Sequence, residues 1–283
     1  MPVPSVVRVA AVQLDPKLGE VASNLRSILA RLREAAASGA RLIVFPECAL
    51  TGYAFESRDE ALAHAEPIPG PSTREVAAAC AELGTFAIFG LLERDGDRLF
   101  NAATLIGPDG LVGTYRKIHL PFVGADRFVD PGDQPLAVLD AGGVRVGMHI
   151  CYDGTFPETG RVLTLLGADI LALPTNWPIQ SLTTAEHLPA CRAIENVVYV
   201  MAVDRAGEEG GLRFAGTSSI ADPGGVILAK AGVDEETILY ADVDPAISRQ
   251  KRLIRVPGKY EIDRIADRRP GHYSALVAPN GRS

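Results

Sequence analysis

Short apolar runs alternate with amphipathic stretches along the chain. VVRVAAVQL (Val6 to Leu14) is rich in β-branched residues and predicts a strand. Between Asn24 and Gly39, residues Leu25, Ile28, Leu29, Leu32 and Ala36 recur at helical spacing, and Gly39 can end that helix in a left-handed conformation. RLIVFPE (Arg41 to Glu47) is a continuous apolar run, the pattern of a strand buried on both faces. Further strands are predicted over Thr85 to Leu92, Leu99 to Ile106, Gly143 to Cys151, Asp169 to Asn176, Val197 to Val203 and Thr237 to Asp244. Ser72 with Glu75, Thr155 with Glu158 and Thr183 with Glu186 have capping-box spacing and predict three helix starts. Pro157 suits a first helical turn, where its missing N–H does no harm.

No repeat, linker or low-complexity segment interrupts this pattern, so residues 1–283 read as one α/β domain. The strands are too many and too mixed for a plain three-layer parallel sheet. Two sheets packed on each other, with helices outside, fit the apolar runs. From about residue 245 to 283 the chain reads as an extended C-terminal arm, rich in Arg and Lys between Ser248 and Arg269 and weakly periodic. A solvated tail and a segment packed on a partner subunit both fit it.

Composition narrows the function. Hydrophobic residues make up 47% and charged residues 22%, which calls for a large packed core. A net charge of −7 argues against a nucleic-acid surface. No apolar run approaches a membrane span, and MPVPSVVRVAAVQL lacks the plan of a signal peptide. Cys48, Cys80, Cys151 and Cys191 form no C-x-x-C pair and no metal-ligand spacing. Reduced cysteines, a cytoplasmic location, no metal and no cofactor are therefore expected. No glycine-rich phosphate loop follows a strand, and GEEGG (Gly207 to Gly211) lacks the lysine and hydroxyl of one, so nucleotide binding is disfavoured.

Three positions suggest chemistry. Cys151 ends an apolar strand just before a predicted helix, where aligned N–H groups would favour a thiolate and could hold an oxyanion. A buried structural cysteine fits the same pattern equally well. Glu47 ends another buried strand, where lost hydration raises a carboxyl pKa toward that of a general base; a structural ion pair is the competing reading. Lys117, in TYRKIHLP, could stabilise an oxyanion beside a thiol, but alone it reads as a surface lysine. His149, His119 and His187 keep a Cys–His pair open on spacing alone.

Three segments in order, LIVFPECALTGY (Leu42 to Tyr53), YRKIHLP (Tyr115 to Pro121) with PGD downstream, and GMHICYDGTFPETGRVLTLLGADILALPTNW (Gly147 to Trp177), together resemble the nitrilase superfamily of carbon–nitrogen hydrolases. Weaker matches at VAAVQLDPKLGEVASNL, CRAIENVVYVMAVDRAG, SSIADPGG and DRRPGHY extend the likeness over nearly the whole chain. The resemblance implies a four-layer α-β-β-α sandwich, and homodimers in which outer helices meet and an arm crosses the interface. It implies a Glu-Lys-Cys triad at Glu47, Lys117 and Cys151, with Glu47 rather than a histidine as base. The Cys151 thiolate would attack an amide carbon, with Lys117 and the backbone N–H of Tyr152 holding the oxyanion. A thioester would form and then be hydrolysed.

The chain departs from the family pattern at two places. Many members carry another glutamate between the lysine and P-G-D; HLPFVGADRFVD has none, and Asp126 is the nearest stand-in, a loop aspartate being the other reading. Thr155 stands where many relatives have an arginine four residues after the nucleophile, which weakens the case for an anionic substrate. Nitrile-attacking branches typically show C-W-E, whereas this chain has Cys151, Tyr152 and Asp153. By that analogy, together with Tyr53 and Trp177 as pocket residues, a small neutral or aliphatic amide leads. N-carbamoyl amines, ω-amides and nitriles follow, and a catalytically idle interaction module is the reading from another class.

Overall fold

The computed structural model describes residues 6–278; residues 1–5 and 279–283, the ends of the N-terminal segment and of the arm, lie outside the described residues. The first half runs β1 (Val7–Gln13), α1 (Val21–Ala37), β2 (Leu42–Val44), α2 (Arg58–His64), α3 (Pro71–Leu83), β3 (Phe86–Asp95), β4 (Arg98–Gly107) and β5 (Gly110–Arg116). The second runs β6 (Val138–Asp140), β7 (Arg145–Met148), α4 (Pro157–Leu165), β8 (Ile170–Thr175), α5 (Leu182–Asn196), β9 (Tyr199–Asp204), the short pair β10 (Glu208–Glu209) and β11 (Leu212–Arg213), β12 (Ser219–Ala221) and β13 (Ile227–Lys230). β14 (Thr237–Val243) returns to the first sheet, and α6 (Pro245–Arg249), β15 (Arg252–Val256) and β16 (Tyr260–Asp263) follow.

Twelve of these strands form two six-stranded sheets, ordered β14-β1-β2-β3-β4-β5 and β13-β12-β9-β8-β7-β6. Side chains alternate between faces along each strand. Val9 and Ala11 therefore join Val44, Ile88, Val146, Met148, Ala172 and Met201 in the layer between the sheets. Ala10 and Val12 face the other way, onto Ile28 and Leu32 of α1 and Val76 and Cys80 of α3. On the second sheet Leu171 and Val200 meet Leu163 of α4 and Ala193 of α5. The result is the expected four-layer α-β-β-α sandwich. Each central strand is covered on both faces, which is why RLIVF and DILAL read as unbroken apolar runs.

The predicted helices are present, but the three capping boxes do not form. α3 starts at Pro71, and the Gly70 N–H donates to the Thr73 hydroxyl; Ser72 instead bonds Glu66. α4 has no side-chain cap, because the Thr155 hydroxyl donates to the Tyr152 carbonyl. α5 begins at Leu182 without one. Gly39 does take a left-handed φ of 89° beyond the end of α1. The arm is not simply extended: β15 and β16 pair as an antiparallel hairpin.

Parallel pairing places the site. β1–β2–β3 and β7–β8–β9 run parallel within their sheets, and the segment after β5 bonds both Glu47, past β2, and Asp153, past β7, so the carboxyl ends of β2, β7 and β8 lie at one edge of the sandwich. Glu47, Cys151 and Asn176 each follow one of those ends, the usual place for a site in α/β sheets.

Candidate active site

Just past β2 the chain makes a sharp turn at Glu47–Cys48, with Cys48 at φ 48°. The turn lies directly on β3. Gly90 donates its N–H to the Pro46 carbonyl, and a Cβ at Gly90 would come 2.3 Å from the Cys48 nitrogen. The Glu47 side chain is fully buried. Its Oε1 accepts from Lys117 Nζ at 2.7 Å and from Asn101 Nδ2 at 2.6 Å, while its Oε2 has no partner among the described residues. Burial pushes the Glu47 carboxyl up, and the charge of nearby Lys117 pulls it only partly back.

Lys117 follows β5. Its backbone is pinned by the Asn101 carbonyl and the Gly132 N–H, and its side chain is completely enclosed. Nζ touches Asp126 Oδ2 at 2.5 Å as well as Glu47. Burial works against its charge, but Asp126 and Glu47 outweigh it and hold the ammonium well above the ordinary lysine range. Asp126 is no surface loop residue: it is buried and also accepts from Asn101 Nδ2 at 2.8 Å and from the Tyr53 hydroxyl at 2.8 Å. Tyr53 thus stands behind this carboxylate, with its own hydroxyl pushed well up by burial.

Cys151 lies past β7 at φ 48°, a left-handed backbone that costs a non-glycine residue energy and is typical of functional turns. It opens a five-residue 3-10 turn, Cys151–Thr155, and α4 starts only at Pro157. Its sulfur therefore does not sit at the start of a long helix. Burial, followed by the charge of Glu47, pushes the thiol well above its ordinary pKa, while Lys117, Thr175 and the Asn176 backbone work the other way. Burial thus opposes the thiolate that a helix end would favour, in keeping with the expected role of Glu47 as the base that takes the thiol proton. Tyr152 is partly exposed, with its ring edge-on to Phe156. Trp177 is buried in the same apolar cluster as Cys151; its backbone N–H donates to Asp204 Oδ1.

The histidines are placed elsewhere. His149 is wholly buried, its ring nitrogens have no partner among the described residues, and burial lowers its pKa to about 4. His119 bonds Asp153. Neither pairs with Cys151. Sequence reasoning missed Asn101, which bridges Glu47 and Asp126; a lone amide inside the apolar run LFNAATLIG was the available signal. Among the described residues, no three His, Cys, Asp or Glu side chains are grouped as a metal site.

The model of the carbon-nitrogen hydrolase family matches residues 8–252. The chain belongs to that family. Over 249 residues it is 41% identical to a protein named nitrilase from Pyrococcus abyssi, covering 88% of this chain and 94% of that one. It is 34% identical over 253 residues to an omega-amidase of Homo sapiens, covering 84% and 88% of the two chains. Its fold is similar to that of an amidase from Nesterenkonia sp. AN1, at a TM-score of 0.79 and 24% identity over 95% of this chain and 96% of that one. That amidase was captured with the acetamide moiety of fluoroacetamide added covalently at its active-site cysteine. At this identity the likeness carries the fold, and membership of the hydrolase family rests on the family match and the closer sequence relatives. No helix among the described residues is long and apolar enough to cross a membrane.

Proposed function

We propose that this hydrolase cleaves the C–N bond of a small neutral amide, releasing ammonia through a thioester on Cys151. The observation that supports it most directly is the enclosed Glu47–Lys117–Asp126 cluster beside the buried Cys151 thiol. One oxygen of Glu47 is held by Lys117 and Asn101, and the other has no partner among the described residues, which suits a base that must take a proton. Glu47 takes the Cys151 proton and the sulfur attacks the amide carbon. Lys117 and the Tyr152 backbone N–H stabilise the negative oxygen that develops. The C–N bond breaks as Glu47 passes its proton to the leaving nitrogen. Glu47 then draws a proton from water, the resulting hydroxide attacks the thioester, and the acid leaves with the thiol restored. Asp126 and Tyr53 support Lys117 from behind, and Trp177 walls the site on the side of β8.

The sequence relatives favour a second reading, an ω-amide of a dicarboxylic acid, since an omega-amidase is among them. The test is ammonia release from simple aliphatic amides, ω-amides, N-carbamoyl amines and nitriles, with Cys151→Ala as control. Release from simple amides that vanishes in the variant is expected. Preference for ω-amides moves the assignment to the second reading, and preference for nitriles overturns the use made of Tyr152 and Asp153. Silence on every compound favours an idle module.

We further propose that the chain works as a homodimer joined through α4, α5 and the arm. Val162 and Leu165 on α4, Leu166 just past its end and Ile194 on α5 are exposed apolar residues on the outer helical layer.

A further inference from the structure

We propose that Asp153 is a positioning residue that ties the segment carrying Lys117 to the turn carrying Cys151, so that ammonium and sulfur keep one separation. The proposal rests on the hydrolase reading of those two residues. Lys117 belongs to the continuation of β5 in the first sheet, and Cys151 to the continuation of β7 in the second. Lys117 is otherwise anchored by Asn101, Gly132, Glu47 and Asp126, none of which lies on the Cys151 turn. A shift of one sheet against the other would therefore separate the two groups unless something bridged them.

Asp153 supplies that bridge. Its side chain is wholly buried. Oδ1 accepts from the His119 backbone N–H at 3.0 Å and from His119 Nδ1 at 2.8 Å. Oδ2 accepts from the Tyr115 hydroxyl at 2.7 Å and from the Ile150 N–H at 3.0 Å. Tyr115 and His119 flank Lys117 two residues to either side, and Ile150 immediately precedes Cys151. One carboxylate thus gathers four donors from both halves of the site. Burial opposes its ionisation, but His119, Lys117, Tyr115 and Ile150 together keep the Asp153 carboxyl below its ordinary pKa, so it is an ionised acceptor at neutral pH. Nδ1 of His119 must then be the donor, and the ring is fixed further by stacking on Phe156 at 3.8 Å between centroids. With both oxygens committed and no exposure, Asp153 does not reach substrate; it acts through Lys117 and Cys151.

The first test is Asp153→Asn, which keeps the volume but turns an NH2 toward two of the four donors. Expected is a fall in kcat of about 100-fold, the scale of a misplacement near 1 Å, with KM little changed. The rate of Cys151 alkylation by iodoacetamide should fall with it. Tyr115→Phe removes one bond and should give a smaller kcat loss; added to Asp153→Asn it should cost little more, since the two act as one unit. Should Asp153→Asn fail to fold, Tyr115→Phe carries the test by the same readouts. Folded variants with wild-type kcat and alkylation rate overturn the proposal, as does a loss confined to KM. Cys151→Ala is run alongside. If it stays active, the hydrolase reading falls and this inference with it; if it is dead while Asp153→Asn is unimpaired, only the role of Asp153 falls.

Discussion

A carboxylate, an ammonium and a thiol share one enclosed space in this protein, and their charges decide what each can do. Two carboxylates flank Lys117 and hold its positive charge, while burial pushes the Glu47 carboxyl above its ordinary range. Glu47→Gln should therefore lower kcat by about 100- to 10,000-fold, the worth of a positioned proton acceptor, in an ammonia-release assay. The same shift sets a pH dependence. A base is active when deprotonated, and the Glu47 carboxyl is pushed up, so kcat/KM should fall as pH drops through a value above that of an ordinary glutamate. Glu47→Gln should lose that acid limb; a limb unchanged in the variant would assign it to another group. Asp126 is testable separately. Asp126→Asn keeps the shape but takes one of the two negative partners from Lys117. It should reduce kcat less than Glu47→Gln does, while Asp126→Ala, which also frees the Tyr53 hydroxyl, should reduce it more.

At the scale of elements, the positions of Glu47 and Cys151 could be read because each ends an apolar run, and apolar runs mark buried strands whatever else surrounds them. Strand ends at one edge of parallel sheets then converge by topology. Asn101 and Asp153 were not legible in the same way: their roles depend on partners far along the chain, at Glu47 and Asp126 for one and at Tyr115 and His119 for the other. The capping boxes failed for a related reason. Ser72 has Glu66 as a stronger partner, and Thr155 is drawn into the turn that shapes the Cys151 loop. The depth of the Cys151 thiol was not legible either, because a local pattern suggests a helix end but does not show how deeply the fold buries it. Gly90 tests the element scale directly. The Glu47 turn crosses β3 where only a residue without Cβ fits, because the obstacles there are the backbones of Cys48 and Glu47. Overpacking typically costs about 1–3 kcal/mol, most readily where side chains can yield. Gly90→Ala must move backbone instead, so its loss of stability in thermal melting should lie at or beyond the top of that range. Its kcat should fall more steeply than stability alone explains, since the shifted atoms belong to Glu47. Wild-type melting and kcat would show that the turn has slack.

Across the whole molecule, polar anchoring and apolar exposure divide the C-terminal arm. Its root is tied down: the Ser248 hydroxyl donates to the Asp169 backbone carbonyl, and Arg249 and Arg145 both reach the buried Asp169 side chain, where they outweigh burial and hold the carboxyl below its ordinary pKa. Beyond the root, Ile254, Val256, Tyr260, Leu276 and Val277 are exposed on a hairpin and tail that a single chain does not cover. Scattered apolar residues on a surface need no explanation, but exposed apolar residues on this segment, whose Leu276 lies beside Pro157, Glu158 and Arg161 of α4, support the proposal that this face is buried in an assembly. A second copy of the chain, offering the same α4 face and arm, is the occupant proposed, by the self-complementary contact usual in twofold dimers. Light scattering during size exclusion should then give twice the chain mass of 30.0 kDa. Val162→Asp with Leu166→Asp places charges in the contact and should reduce the mass to that of one chain without lowering the amount of folded protein. A wild-type mass of one chain at micromolar concentration would remove the dimer. A dimer indifferent to both charges would move its contact to another face, leaving α4 as ordinary surface.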